Sequence, residues 1–204
     1  MSKNGNGNGR WLKLDDLITV GPLTENQKTA FEAYKKDNKS LILHGSAGTG
    51  KTFISIYLAL EQVLEKSNKQ YNKLYVIRSV VPTRDIGYLP GDKQEKIEVY
   101  EDPYMSICAE LFECKDAYEK LKQQGVMEFL PTSFVRGITF DNSIIIIDEC
   151  QNLNFHELDS VITRIGKDCK ILFCGDFYQT DFVRENEKQG LKKFIKILNH
   201  LPQF

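Results

Sequence analysis

Short apolar runs alternate with longer amphipathic stretches along this chain. Leu12, Leu14, Leu17 and Ile18 follow Trp11 as a first apolar segment. Thr24 reads as a helix N-cap and Gln27 falls three residues later, the spacing of a capping box, which predicts a helix over 25–36. The run 41–43, bounded by polar residues, predicts a buried strand. Phe53, Ile56, Tyr57, Leu60, Val63 and Leu64 recur at helical spacing and predict a helix over 50–65. Residues 74–77 form another short apolar strand. The stretch 78–91 carries Pro82, Gly87, Pro90 and Gly91 and reads as a long loop. Residues 93–124 are expected to be mostly helical with a break near Pro103, because proline lacks the N–H that a helix interior needs.

Downstream, 126–130 predicts a strand stopped by Pro131. The run 144–147 is the most apolar of the chain, and its consecutive β-branched isoleucines predict a strand covered on both faces. Phe155, Leu158, Val161, Ile162 and Ile165 mark an amphipathic helix ended by Gly166. A strand over 171–174 and a helix over 189–201, with apolar Leu191, Phe194, Ile195 and Leu198, complete the pattern. Strands alternating with helices predict an α/β fold, a parallel sheet flanked by helices. The 204 residues suit one domain over 11–204, preceded by a Gly/Asn-rich leader over 1–10 that is expected to be disordered.

Composition narrows the partners. The formal net charge is -1, so any contact with nucleic acid must come from a local basic patch. The five cysteines form no C-x-x-C pair and read as free thiols, buried or half-buried, in a reducing compartment. No apolar run reaches membrane-spanning length and the N-terminus has no signal-peptide core, so no membrane partner and a cytoplasmic location are expected.

The chemistry concentrates in two places. Gly45, Ser46, Ala47, Gly48, Thr49, Gly50, Lys51 and Thr52 match G-x-x-x-x-G-K-[ST] in full, between a predicted strand and a predicted helix. Glycines let the backbone curl so that successive N–H groups point at one phosphate chain, and the helix N-terminus adds its positive end. Lys51 is then expected to reach the terminal phosphates of ATP, and the Thr52 hydroxyl to ligate magnesium. The isoleucine run ends in Asp148 and Glu149, where a parallel strand presents its carboxyl end to a ligand. Asp148 is the expected magnesium carboxylate, acting through the hydration shell, and Glu149 the residue that orients or deprotonates the attacking water. Gly175-Asp176-Phe177-Tyr178-Gln179 follows the next strand. Gln179 suits a γ-phosphate oxygen or the attacking water, while Gly-Asp is equally turn chemistry, and the residues alone leave both open.

Taken together, the loop at 45–52, the Asp148-Glu149-Cys150-Gln151 box and the Gly-Asp-x-x-Gln segment resemble superfamily 1 helicase cores and, more narrowly, the PhoH family, in a pattern similar to its phage-encoded members. Ile86-Gly87-Tyr88-Leu89-Pro90-Gly91-Asp92 followed by Gln94-Glu95-Lys96, Phe134-Val135-Arg136-Gly137 and Thr163-Arg164-Ile165-Gly166 also fit, and the likeness spans 23–197. It implies a RecA-like P-loop ATPase in which the strand ending near Cys174 lies between the phosphate-loop strand and the Asp148 strand. Gln179 would then sit near the γ-phosphate. Gln27 resembles the glutamine that reads adenine, a role its donor-and-acceptor carboxamide suits and that its capping-box role does not preclude. The resemblance further implies ATP hydrolysis, RNA or single-stranded DNA as partner, a homo-oligomeric ring and, for a phage-encoded chain, the host cytoplasm. The family pattern continues with an Asp-x-x-Arg segment beyond the position of Phe204.

An arginine that completes such a site is sought among Arg78, Arg84, Arg136 and Arg164. Arg164, at the end of the helix after the acidic box, is the one placed to face a neighbour's nucleotide; the alternative for each is a surface ion pair or a helix C-terminal charge. The loop 79–91 with Arg84 is the first expected nucleic-acid contact. Lys188, Lys192 and Lys196 line one face of the last helix, which suits a nucleic-acid contact but reads first as its solvated side. His44, His156 and His200 form no constellation. An ATP-driven enzyme acting on a polynucleotide is therefore expected, against a nucleotide-gated assembly module, which needs neither Glu149 nor Gln179, and a small-molecule phosphotransferase, for which no acceptor pocket is evident.

Overall fold

A computed structural model describes residues 10–37, 39–67, 70–80, 93–176, 194, 196–198 and 200. The leader up to residue 9, the loop beyond Val80, Gln179 and most of 189–201 lie outside the described residues.

Five parallel strands form one sheet: β1 (Leu41–His44), β2 (Lys73–Arg78), β3 (Met127–Pro131), β4 (Ser143–Ile147) and β5 (Lys170–Gly175), in the order β1-β5-β4-β2-β3. The strand after the acidic box thus lies between the phosphate-loop strand and the Asp148 strand, as the resemblance implies. β4 is central, and all of its residues are buried. Side chains alternate across a strand, and β4 shows what four consecutive isoleucines accomplish. Ile144 and Ile146 enter a core with Leu74, Val76, Leu172, Ile56 and Leu60. Ile145 and Ile147 enter a second core on the opposite face with Ile77, Phe173, Leu158 and Val161. Full burial of each such side chain is worth about 1.5–3 kcal/mol, so the strand is anchored from both sides.

The first face is covered by α1 (Glu25–Asp37), α2 (Lys51–Leu64), α3 (Lys93–Leu111) and α4 (Ala117–Gln123); the second is covered by α5 (Phe155–Ile162). The segment at 10–16 is tied down as well: Leu12 N–H donates to Gln124 Oε1 at 3.1 Å, and Gln124 Nε2 returns a bond to the Leu12 carbonyl at 2.9 Å.

Three local expectations change. β1 is half-buried rather than buried, because it pairs on one side only among the described strands. α3 runs through Pro103 without a break. Proline there frees the Val99 carbonyl, and both residues lie on the exposed side of the helix, where water can satisfy it. The break falls instead after Leu111, where Glu113 adopts φ 49°. α5 stops at Ile162 rather than at Gly166, and Ile165 forms an isolated bridge with Phe140. Of the predicted last helix, Phe194, Lys196, Ile197 and Leu198 are described and helical; Phe194 packs edge-on against Phe173 with ring centroids 5.6 Å apart. Among the described residues no helix is long and apolar enough to cross a membrane.

Candidate nucleotide site

All five strands point the same way, so their carboxyl ends gather on one edge, the general location of ligands in open α/β sheets. β1 leads into the phosphate loop, where Gly48 (φ 76°) and Gly50 (φ 81°) hold left-handed conformations that only glycine adopts at little cost. Gly45 N–H donates to the Gly175 carbonyl at 3.3 Å, which fastens the start of the loop to the end of β5. α2 begins at Lys51 with Gly50 as its N-cap. Its first turn directs N–H groups outward, because the first residues of a helix have no intrahelical acceptor. The Lys51 ammonium donates to the Gly45 and Ser46 carbonyls at 2.7 and 2.8 Å, and Thr49 Oγ1 donates to the Ser46 carbonyl at 2.9 Å.

Gln27 serves two structures at once. Its backbone N–H donates to Thr24 Oγ1 at 3.2 Å, and its Oε1 accepts from Leu23 N–H at 2.7 Å, which caps α1. Its Nε2 donates to the Thr49 carbonyl at 3.2 Å, so the capping carboxamide also lies against the phosphate loop.

Thr52 and Asp148 meet across the site: Thr52 Oγ1 donates to Asp148 Oδ1 at 2.7 Å. Asp148 Oδ2 accepts from the Tyr104 hydroxyl at 2.9 Å. Asp148 is 4% exposed and Tyr104 fully buried. Burial pushes the Asp148 carboxyl above its ordinary pKa; the Thr52 and Tyr104 bonds pull against this, and the Glu149 charge adds to it. Burial and then the Asp148 charge push the Tyr104 phenol far up, so it stays protonated and donates. Arg78, at the end of β2, stands beside the pair. Burial disfavours its charge, and Tyr104 and Asp148 more than offset that, leaving its pKa above the ordinary value. A buried carboxylate bonded to a threonine hydroxyl beside a curled loop is a donor set that fits a magnesium ion, which takes few protein ligands and keeps much of its water.

Glu149 follows in a left-handed conformation, φ 48°, and caps a short helical turn over 150–152. Its Oε2 accepts from Gln151 Nε2, and Gln151 Oε1 accepts from Asp176 N–H at 3.0 Å. Glu157 closes the far side of the edge: its Oε1 accepts from Ser79 Oγ at 2.7 Å and Thr132 Oγ1 at 2.6 Å, joining the ends of β2 and β3 to α5.

Most of the predicted residues therefore converge. Gln27, Gly45–Thr52, Asp148 and Glu149 share one edge, and Gln179 lies outside the described residues. Arg164 is placed apart. Its N–H and carbonyl bond Val161 and Phe140, at the sheet edge opposite the phosphate loop, and its Nε is buried without a partner among the described residues. Sequence reasoning missed Tyr104 and the Gln151 bridge. Tyr104 carries no motif signal, whereas Glu157 was readable as the third residue after the Asn154 cap.

This sheet order, with a phosphate loop at one strand end and a carboxylate pair at another, defines a P-loop nucleotide-binding protein of the RecA-like class. The family model described as PhoH-like protein matches residues 19–204, and the chain belongs to the PhoH family. It is 36% identical over 177 residues to protein PhoH2 of Bacillus subtilis, covering 83% of this chain and 40% of that one. It is 33% identical over 176 residues to a PhoH-like protein of Synechocystis, covering 86% and 52%. The chain thus spans about half the length of the curated relatives it matches. Among solved structures it is similar to the large terminase of a thermophilic bacteriophage, with a TM-score of 0.44 and 12% identity over 76% of this chain and 39% of that chain.

Proposed function

We propose that this chain hydrolyses ATP with magnesium and couples the reaction to RNA or single-stranded DNA. The observation that carries the reading is the meeting of Thr52 and Asp148, 96 residues apart in sequence, directly beside the phosphate loop. Backbone N–H groups of the loop and of the first turn of α2 bind the phosphates, with Lys51 reaching the terminal pair. Thr52 and Asp148 hold the metal, which when bound neutralises charge on the phosphate oxygens. Glu149 accepts a proton from water as the water oxygen attacks the γ-phosphorus; the bond from that phosphorus to the bridging oxygen breaks and ADP leaves. Gln27 reads the adenine edge and Gln179 the γ-phosphate. Arg164 lies at the end of the sheet opposite its own phosphate loop, so the catalytic role expected of it requires a neighbour's site, within a ring of identical subunits.

Steady-state ATP hydrolysis, with and without single-stranded RNA and DNA, tests this. Wild type is expected to turn over with magnesium and faster with one polynucleotide, and Lys51→Ala and Glu149→Gln to lose turnover by about 100-fold or more. ATP binding without turnover would replace the enzyme with a nucleotide-gated module. Unchanged rates with every polynucleotide would remove the coupling and leave the ATPase.

A further inference from the structure

Gln151 stands between the ends of β4 and β5. Its carboxamide is used at both ends: Nε2 donates to Glu149 Oε2, and Oε1 accepts from the Asp176 backbone N–H at 3.0 Å. The residue is 5% exposed and belongs to the short turn 150–152, so it is held by packing as well as by these bonds. The opposite strand end is shaped to receive it. A Cβ on Gly175 would lie 2.5 Å from Gln151 Oε1 and 2.7 Å from Cys150 Sγ, so only glycine leaves room for the bridge.

Glu149 itself sits in the left-handed region, which a residue with a Cβ occupies at a cost unless its surroundings hold it there. The Gln151 bond supplies part of that hold and fixes the direction of the carboxylate. Because the same carboxamide accepts from Asp176 N–H just beyond β5, the end of that strand helps to fix where the Glu149 carboxylate stands.

We infer that Gln151 is a positioning residue for hydrolysis, which sets the Glu149 carboxylate and ties it to the end of β5. The inference rests on the proposed ATPase reading. A glutamate at 151 keeps an acceptor for Asp176 N–H and loses the donor to Glu149, whereas alanine loses both. Gly175→Ala keeps the carboxamide and displaces it.

The experiment measures kcat, ATP Kd and melting temperature for Gln151→Ala, Gln151→Glu and Gly175→Ala, beside Lys51→Ala and Glu149→Gln, and single-turnover hydrolysis of the double variant Gln151→Ala/Glu149→Gln. Each Gln151 variant is expected to lose about 10- to 100-fold in kcat with ATP Kd within about twofold, and Gly175→Ala to follow in the same direction. In the Glu149→Gln background, Gln151→Ala is expected to remove nothing further, because a residue that acts through Glu149 has no effect once Glu149 is gone. Equal losses in both backgrounds, or a Gln151→Glu enzyme with wild-type kcat, would overturn the positioning role. If Lys51→Ala and Glu149→Gln also keep wild-type turnover, or wild type has none, the ATPase reading fails and takes the inference with it. If those two controls fail to turn over while the Gln151 variants do not change, the inference alone is lost.

Discussion

The Tyr104 hydroxyl donates to Asp148 Oδ2 at 2.9 Å, so the carboxylate that ends β4 is gripped from α3 as well as from Thr52 on α2. Tyr104→Phe removes the α3 grip and leaves a buried carboxylate oxygen with one donor fewer. Hydrogen bonds to buried charged groups are worth about 1.5–3 kcal/mol, and a loss of that order is expected in urea unfolding. The magnesium concentration for half-maximal ATP hydrolysis is expected to rise in the same variant. An unchanged unfolding midpoint would show that the bond carries no stability.

Asp148→Asn tests the metal assignment without requiring turnover. A ligand at a hundredfold its Kd raises stability by about 2.7 kcal/mol through mass action. Wild type is expected to melt higher with ATP plus magnesium than with ATP alone. Asp148→Asn is expected to keep the ATP increment and lose the magnesium increment. Equal magnesium increments in the two proteins would move the metal away from Asp148.

Lys170 predicts a pH dependence remote from the nucleotide site. It is 1% exposed, its Nζ lies 3.9 Å from the Tyr34 ring centroid, and it donates to Gln62 Oε1 at 3.2 Å. Burial pushes its pKa down from 10.5 to about 8. Between those values the unfolded chain carries a proton that the folded chain does not, so stability rises with pH across the window and the burial penalty is complete below it. Relative to Lys170→Met, wild type is expected to gain roughly 2–3 kcal/mol between about pH 8 and about pH 10. Parallel pH profiles for the two proteins in urea unfolding would refute the assignment.

Gly166→Ala addresses the sheet edge opposite the site. A Cβ there would lie 2.7 Å from the Phe140 carbonyl and closer still to the Asp141 carboxylate, and the Gly166 N–H already donates to that carbonyl. The backbone contact cannot yield as a flexible side chain would. A loss of about 1–3 kcal/mol is expected, seen as a lower melting temperature. Because the lesion is far from the phosphate loop, ATP Kd is expected to stay at the wild-type value.

Periodicity in the sequence located the strands because each short apolar run is a strand buried on one or both faces, and β4 is legible from its isoleucines alone. The phosphate loop and acidic pair were equally legible, since their chemistry is local. Pro103 misled because its cost depends on which side of the helix faces water, and periodicity does not record that. Tyr104 was silent for a related reason: its partner lies 44 residues away, and only the packing of α3 against the sheet brings the two together. Gln151 was visible as a letter of the acidic box, but its reach to Asp176 depends on β5 lying beside β4 and on the missing side chain of Gly175.

Placing β5 between β1 and β4 also sets a gauge. Two interstrand steps separate the root of the phosphate loop from the root of the acidic pair, roughly 10 Å, and hydrogen-bonded strands hold that width nearly constant. A nucleotide entering the slot therefore meets walls of fixed separation and a floor made by the end of β5. Adjustment to its presence or departure falls to what stands on the strand ends, the loop, the Glu149 turn and the side chains between them, while the sheet serves as the frame against which they move.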